Sequence, residues 1–329
     1  MADIQRYFEK FHADIRFDYE LEQELREKRE IILEKIREKL KQDSRPGFDA
    51  KLQGSYAMKT GVKPTGEQVY DMDVGLHFRF SESEFTAAEV RRWVWDAIKS
   101  HTANVVSKGP CIRVSYAKGY HLDLVIYATW ADENGREHSR LAHNEDRWVA
   151  ADVKKLMAYV GEAKDRFKGT EDAIGIDQLR RVIRYLKRWD DVWMPTDGSA
   201  KPSGLAYTLL TIDSLTAPVK SWHHTSDDLE ALRQVATAAA NAIGRLVAKK
   251  PTPEFEDMFA KLSDDEMNAL KRRFALLADA LSSAANEPDP VKACSVIQRQ
   301  LGDTFTVPDP KDTASKTRAP AIVTSSSSA

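Results

Sequence analysis

The stretch YDMDVGLHF, residues 70–78, constrains the fold more than any other part of the chain. Tyr70, Met72, Val74, Leu76 and Phe78 alternate with Asp71, Asp73, Gly75 and His77. An apolar residue at every second place marks a strand with one face in a core and the other turned to something polar. Residues i and i+2 of a strand share a face, so the Asp71 and Asp73 carboxylates project side by side, about 7 Å apart along the backbone. Two carboxylates that close repel each other, and a divalent cation is their natural partner. Mg²⁺ suits such a pair, because it takes oxygen ligands, few from protein and the rest from water and phosphate. A lone Asp-x-Asp is more often a pair of solvated acids, so the surrounding residues decide its meaning.

Upstream, Phe48, Ala50 and Leu52 alternate with polar neighbours and predict a short strand ending at Gln53, followed by Gly54 and Ser55 in LQGSYAMKT. A helix beginning at Ser55 would offer its hydroxyl and free backbone N–H groups to a phosphate. Gly54 would let a triphosphate approach the backbone closely. An ordinary turn with a Ser cap is the plain alternative. Downstream, Asp123 stands in HLDLVIY, whose Leu122, Leu124 and Ile126 face a core. A carboxylate in so apolar a segment is costly to bury without a metal or a donor, which makes Asp123 the third acid. His121 shares its face, and a structural role suits it better than ligation, since Mg²⁺ seldom takes imidazole. CIRVSY at 111–116 and HLDLVIYATW at 121–130 read as strands joined in a hairpin through Ala117-Lys118-Gly119. FTAAEVRRWVWDAIKS lies before them as a helix.

Residues 19–42 carry Leu21, Leu25, Ile32, Ile36 and Leu40 on one stripe of a long amphipathic scaffold helix. From about residue 145 the pattern is almost wholly helical, with segments expected at 203–218, 226–248, 253–262, 264–286 and near 290–301. The clearest is IDQLRRVIRYLKRWDDVW, with Leu179, Val182, Ile183, Leu186 and Trp189 on one face. Arg180, Arg181, Arg184, Lys187 and Arg188 crowd the other, as a solvated basic face or as a seat for a polyanion. From Asp303 the chain turns to Pro, Asp, Lys, Thr and Ser, a composition expected of a disordered tail.

At 329 residues the chain can build two subdomains. Its net charge of −2 disfavours a long nucleic acid as substrate. The two cysteines, Cys111 and Cys294, belong to no metal-binding cluster, and a reducing cytoplasm fits them. The first twenty residues are too charged for a signal peptide, and no apolar run is long enough to span a bilayer.

Taken in order, QGSYAMKT, DMDVGL, HLDLVIY, RYLKRW and KPSGLAYTLL resemble the bacterial CD-NTases, cyclic oligonucleotide synthases related to cGAS and oligoadenylate synthase within the polymerase-β-like nucleotidyltransferases. The resemblance covers most of residues 20–300. It implies an α+β fold: scaffold helices over 1–43, a nucleotidyltransferase core over 44–165, an oligoadenylate-synthase-like helical lobe over 166–302, and the tail over 303–329. It further implies that Asp71, Asp73 and Asp123 hold two Mg²⁺ ions, with Mn²⁺ as a substitute, and that Asp123 helps activate the attacking hydroxyl. Gln53, Gly54, Ser55, Tyr56, Ala57 and Met58 match the segment that meets the donor nucleotide. Lys187 matches a lysine that reaches the triphosphate, and Ser203 a phosphate ligand in Pro202-Ser203-Gly204, where the next position lacks the usual small polar residue. The implied activity is synthesis of a cyclic di- or trinucleotide messenger from NTPs, ATP among them, with pyrophosphate release, in antiviral (anti-phage) signalling in the cytoplasm. A linear oligoadenylate synthase, another nucleotidyltransferase acting on RNA or protein, or a catalytically silent nucleotide-binding protein are the competing readings. A tail ending in Ser328-Ala329 would also suit a regulatory or conjugating partner protein that modifies Ala329.

Overall fold

The computed structural model describes residues 2–16, 19–65, 70–193 and 200–311, and its elements gather around two apolar cores. Two helices come first, α1 (Gln5–Ile15) and α2 (Tyr19–Gln42). The alternating segments then build one mixed sheet from β1 (Phe48–Gln53), β2 (Tyr70–Phe78), β3 (Val105–Ser107), β4 (Ile112–Tyr116), β5 (Tyr120–Ala131), β6 (Glu137–His143) and β7 (Arg147–Ala150). A single helical turn, α3 (Gly54–Ala57), follows β1, and α4 (Ala87–Ile98) crosses between β2 and β3. Thr86 and Glu89 start α4 with a reciprocal capping box, which satisfies two backbone donors that would otherwise lack partners.

Strand order is β1-β2-β5-β4-β3, with β6 continuing beside the second half of β5 and β7 beyond it. β2 and β5 run parallel in the centre, and Asp73 lies directly opposite Asp123. The expected hairpin forms, with Tyr116 opposite Tyr120 and therefore Arg113 opposite Asp123. Met72, Val74, Leu76, Leu122, Leu124 and Ile126 fill the covered face and pack on α2 and α4. The acids stand on the other face by the same alternation.

The second core is helical: α5 (Val153–Asp165), α6 (Gln178–Val192), α7 (Gly204–Ser214), α8 (Asp228–Ala240), α9 (Asp264–Asn286) and α10 (Pro290–Leu301). α1 joins this core through Phe8, Phe11 and Ile15, whereas α2 packs on the sheet, so residues 1–43 divide between the two lobes. The side chain of Leu21 lies outside the described residues.

Several expectations are corrected. β7 occupies the start of the stretch that read as helical from residue 145. Residues 253–262 form turns and an isolated bridge from Lys249 to Asp257 instead of a helix. The Asp257 carboxylate accepts from the Ala248 and Phe259 amides at 2.9 and 3.1 Å, which holds the segment as a turn. The helix expected to reach 248 stops at Ala240. Residues 303–307 do not trail away: Phe305 is fully buried, with its ring 5.2 Å from Phe8 and 5.3 Å from Phe11. Residues 312–329, including Ser328 and Ala329, lie outside the described residues.

The basic face of α6 is not solvated. Arg181 is fully buried in a bidentate pair with Asp228, which also accepts from the Tyr185 hydroxyl. Arg184 donates to the Gly61 carbonyl and meets His12, and Arg188 donates to the Lys63 carbonyl. These guanidiniums clamp the 61–63 strand of chain and α1 onto the helix. Breaking such a buried pair by removing one partner strands a charge, so the clamp tolerates no single deletion.

Candidate active site

The acid face of the central strands opens onto a cleft of about 580 Å³ between the sheet and the helical lobe. Gln53, Gly54, Ser55 and Met58 line one wall with Asp71 and Asp73, while Lys187 and Ser203 line the opposite one. Tyr56 and Ala57 do not reach it. The Tyr56 hydroxyl accepts from Arg26 Nε at 3.1 Å, on the far side of the turn.

Gly54 opens this wall because it has φ +65° and sits against Asp73: a Cβ there would fall 2.0 Å from Asp73 Oδ2. Only glycine combines that backbone with that approach. The expected helix start differs in detail. α3 begins at Gly54, is one turn long, and has Gln53 at its N-cap with no side-chain cap, so Ser55 is not a capping residue. Its hydroxyl stays available to the cleft, but one turn carries little dipole.

The carboxylates are electrostatically strained. Burial pushes Asp73 up to about 7, and the neighbouring Asp123 and Asp71 charges add to the shift. Burial also raises Asp71, with Arg113 working against the rise. Arg113 is a residue the sequence reading passed over. It donates two bonds to Asp123, 2.7 and 2.6 Å long, and comes within 3.2 Å of Asp71. Asp123 is thereby nearly shut from solvent, at 5 % exposure. His121 stands opposite Asp71 on the same face.

Among the described residues, no three acidic, histidine or cysteine side chains converge to hold one ion as they stand. The donor set nevertheless fits a divalent cation. Asp71 Oδ1 is buried without a hydrogen-bond partner, and Asp73 has two like charges and no cation of its own. An ion would satisfy both, and Asp123 would join them on exchanging Arg113 for it.

Across the cleft, Lys187 is the one cation of the five on α6 that lines the cavity. Its ammonium donates to the Thr60 carbonyl at 3.0 Å and to the Thr60 hydroxyl at 3.1 Å. Burial, with Arg184 nearby, pushes it down to about 7. Ser203 caps α7, accepting from the Ala206 amide at 3.3 Å. The missing hydroxyl at the next position now has a reason: a Cβ on Gly204 would sit 3.2 Å from Lys187 Cε. Glycine leaves the lysine room to pass.

Comparison with known proteins agrees with this geometry. Residues 49–127 match the family described as cyclic GMP-AMP synthase DncV-like, nucleotidyltransferase domain. A cyclic GMP-AMP synthase of Escherichia albertii is 25 % identical over 231 residues, which are 64 % of this chain and 49 % of that protein. The chain thus spans about half the length of that curated relative. Two crystal structures of Vibrio cholerae DncV share the fold. Its apo form superposes with a TM-score of 0.76 at 18 % identity, covering 92 % of this chain and 96 % of the other. A second structure, a cyclic AMP-GMP synthase described as a prokaryotic cGAS homolog, gives 0.73 at 19 % identity, covering 93 % and 98 %. Residues 49–127 therefore match a DncV-like nucleotidyltransferase domain, and the chain as a whole shares the fold of DncV, with a helical lobe beside the sheet.

Proposed function

We propose that this chain is a metal-dependent nucleotidyltransferase that makes a cyclic di- or trinucleotide from NTPs, ATP among them, and releases pyrophosphate. The carrying observation is the parallel register that sets Asp73 opposite the buried Asp123, with Asp71 two residues away, and the cleft that Asp71 and Asp73 line, whose other wall presents Lys187 and Ser203. That juxtaposition suits a triphosphate held between a carboxylate-bound cation and an ammonium. Relatives support the substrate class: Vibrio DncV is described in complex with a linear intermediate, 5′-pppA(3′,5′)pG, and with nonhydrolysable GTP.

Asp71 and Asp73 would hold the divalent ions, Mg²⁺ or Mn²⁺, and Asp123 would share one of them. When bound, such ions neutralise the phosphates and acidify the attacking hydroxyl. The chain's own residues do the rest. Ser55, Ser203 and Lys187 fix the triphosphate so that its α-phosphorus faces the acids. A ribose hydroxyl of the second nucleotide attacks that phosphorus, the bond to the β-phosphate oxygen breaks, and pyrophosphate leaves. Asp123 stands where the hydroxyl proton would be taken up once Arg113 has released it. A final attack, by a hydroxyl of the linear product on the α-phosphorus of its own 5′-triphosphate, breaks the bond to the β-phosphate oxygen, releases another pyrophosphate and closes the ring. The messenger role in antiviral signalling rests on the family likeness alone. Among the described residues no helix is long and apolar enough to cross a membrane.

The test is incubation with the four NTPs and Mg²⁺ or Mn²⁺, followed by phosphatase treatment and mass spectrometry. Pyrophosphate release with a phosphatase-resistant product is expected. A phosphatase-sensitive product would mean a linear synthase, and no pyrophosphate with any NTP would mean a silent binding protein.

Lys187 adds a pH dependence. With its amine pushed down to about 7 by burial, it is half-protonated near neutrality. A bound triphosphate stabilises the ammonium, so binding takes up a proton above that value. Metal-free affinity for a nonhydrolysable NTP should therefore fall between pH 7 and 9, by up to about tenfold per unit. Calorimetry on Lys187→Met should show weaker binding at pH 7 and a shallower fall. Identical slopes in the two proteins would remove Lys187 from the triphosphate site.

A further inference from the structure

The pairings on the acid face form one row across four strands. Gln53 lies opposite Asp73, Asp73 opposite Asp123, and Asp123 opposite Arg113. Neighbouring strands are about 4.8 Å apart, so a side chain in the row meets the ones on either side of it. The Asp123 carboxylate therefore stands between an acid and a base. Turned towards β2, it would complete a cation site with Asp73. Turned towards β4, it meets the Arg113 guanidinium, and both of its oxygens are engaged there, at 2.7 and 2.6 Å.

Charge explains that choice. The charged groups acting on the buried Asp73 are the Asp123 and Asp71 carboxylates and Arg113. Arg113 also comes within 3.2 Å of Asp71 Oδ2, so one guanidinium touches two of the three acids. It thus fills the electrostatic place that a divalent cation would take. The two cations exclude each other for two reasons. They compete for the same carboxylate oxygens, and like charges that close repel. The guanidinium is not sealed in, because 18 % of the Arg113 side chain is exposed and leaves it a way towards solvent.

We infer that Arg113 is an internal competitor of the divalent cation: it holds Asp123 away from Asp73 in the metal-free protein, and so sets the ion concentration at which the three-acid centre assembles. This rests on the nucleotidyltransferase reading of the cleft and adds a control to it. Arg113 is a positioning residue that acts through Asp123, and it makes the third acid a ligand with two resting places.

The sign of a change in metal affinity tests this. A residue that only orients a ligand loses about ten- to a hundredfold in metal affinity when it is replaced. Replacing a competitor does the reverse. Calorimetry with Mn²⁺ on the intact, nucleotide-free chain should show Arg113→Gln binding about tenfold more tightly than the wild type. Melting curves give a second readout. Without metal, Arg113→Gln should melt below the wild type, because the acids have lost their counter-charge. Saturating Mn²⁺ should then raise its melting point by more than it raises that of the wild type. Unchanged or weaker Mn²⁺ binding in Arg113→Gln would overturn the competition and leave the nucleotidyltransferase reading standing. No Mn²⁺ binding by either protein would overturn both. A crystal structure of the wild-type protein with Mn²⁺ needs no variant to fold. Asp123 should there have left Arg113 for the ion, and an Arg113 still holding both oxygens beside a bound ion would overturn the inference.

Discussion

Asp73→Asn should lower nucleotidyl transfer by about three orders of magnitude or more, and should also make the metal-free protein more stable at alkaline pH. The rate falls because an amide cannot replace a charged oxygen ligand. The stability rises for the reason that makes the site work. The native Asp73 carboxyl titrates at about 7 instead of the ordinary 3.8, since burial and two neighbouring carboxylates oppose its charge. Between those values the native protein holds a proton that the unfolded chain has released. The group's contribution to stability is therefore complete below about pH 4, declines as pH rises, and has become a full penalty above pH 7. Asparagine has no charge to lose. With allowance for partial solvent screening, the gain at pH 8 is about 2 kcal/mol, shrinking to near zero by pH 4. Thermal melts without metal at the two pH values, set beside pyrophosphate release with Mg²⁺, check both halves. Undiminished turnover in Asp73→Asn would sink the assignment, and a lower melting point at pH 8 would remove the electrostatic account.

Gly54→Ala should cost about a hundredfold in kcat/KM, although it adds one methyl group outside the reacting atoms. Two penalties meet at this position. Its φ of +65° strains any L-residue by about 1–2 kcal/mol, and the added Cβ would lie 2.0 Å from Asp73 Oδ2. The carboxylate must move, and a displacement of about an ångström at a reacting centre costs on the order of a hundredfold. Gly119 supplies the control. It has φ +79° in the β4–β5 turn, but nothing lies within 4 Å of a Cβ placed there. Gly119→Ala should lose comparable stability and keep its turnover. Equal rate losses in both variants would reduce the Gly54 effect to general destabilisation.

The candidate site was legible in the sequence where it depended on strand periodicity. Alternation over residues 70–78 put Asp71 and Asp73 on one face, and alternation around Asp123 put it in a neighbouring strand. Arg113 was missed, yet its signal was present. A turn pairing Tyr116 with Tyr120 forces Arg113 opposite Asp123, so the three-residue hairpin already implied a cation against the third acid. The basic run on α6 misled in the opposite direction. Five cations on one helix face read as a solvated or phosphate-seeking surface, but four of them lie away from the cleft, on Asp177, Asp228, loop carbonyls and His12. No local pattern tells a buried guanidinium from an exposed one when its partner is about fifty residues away, as Asp228 is from Arg181.

What the sequence by itself determined was which residues share a face, because strand and helix periods are properties of the backbone. It thereby set the acid pair, the third acid and the lysine-bearing helix, together with the order in which they occur. Which faces meet was decided only by tertiary structure. Packing the helical lobe over the open side of the sheet brought Lys187 and Ser203 opposite Asp71 and Asp73. That closure also removed water from the carboxylates, which is why Asp73 holds its proton to about 7. The acids of residues 70–78 were readable from their alternation, but their charge state was not, because desolvation depends on what the rest of the chain places over them.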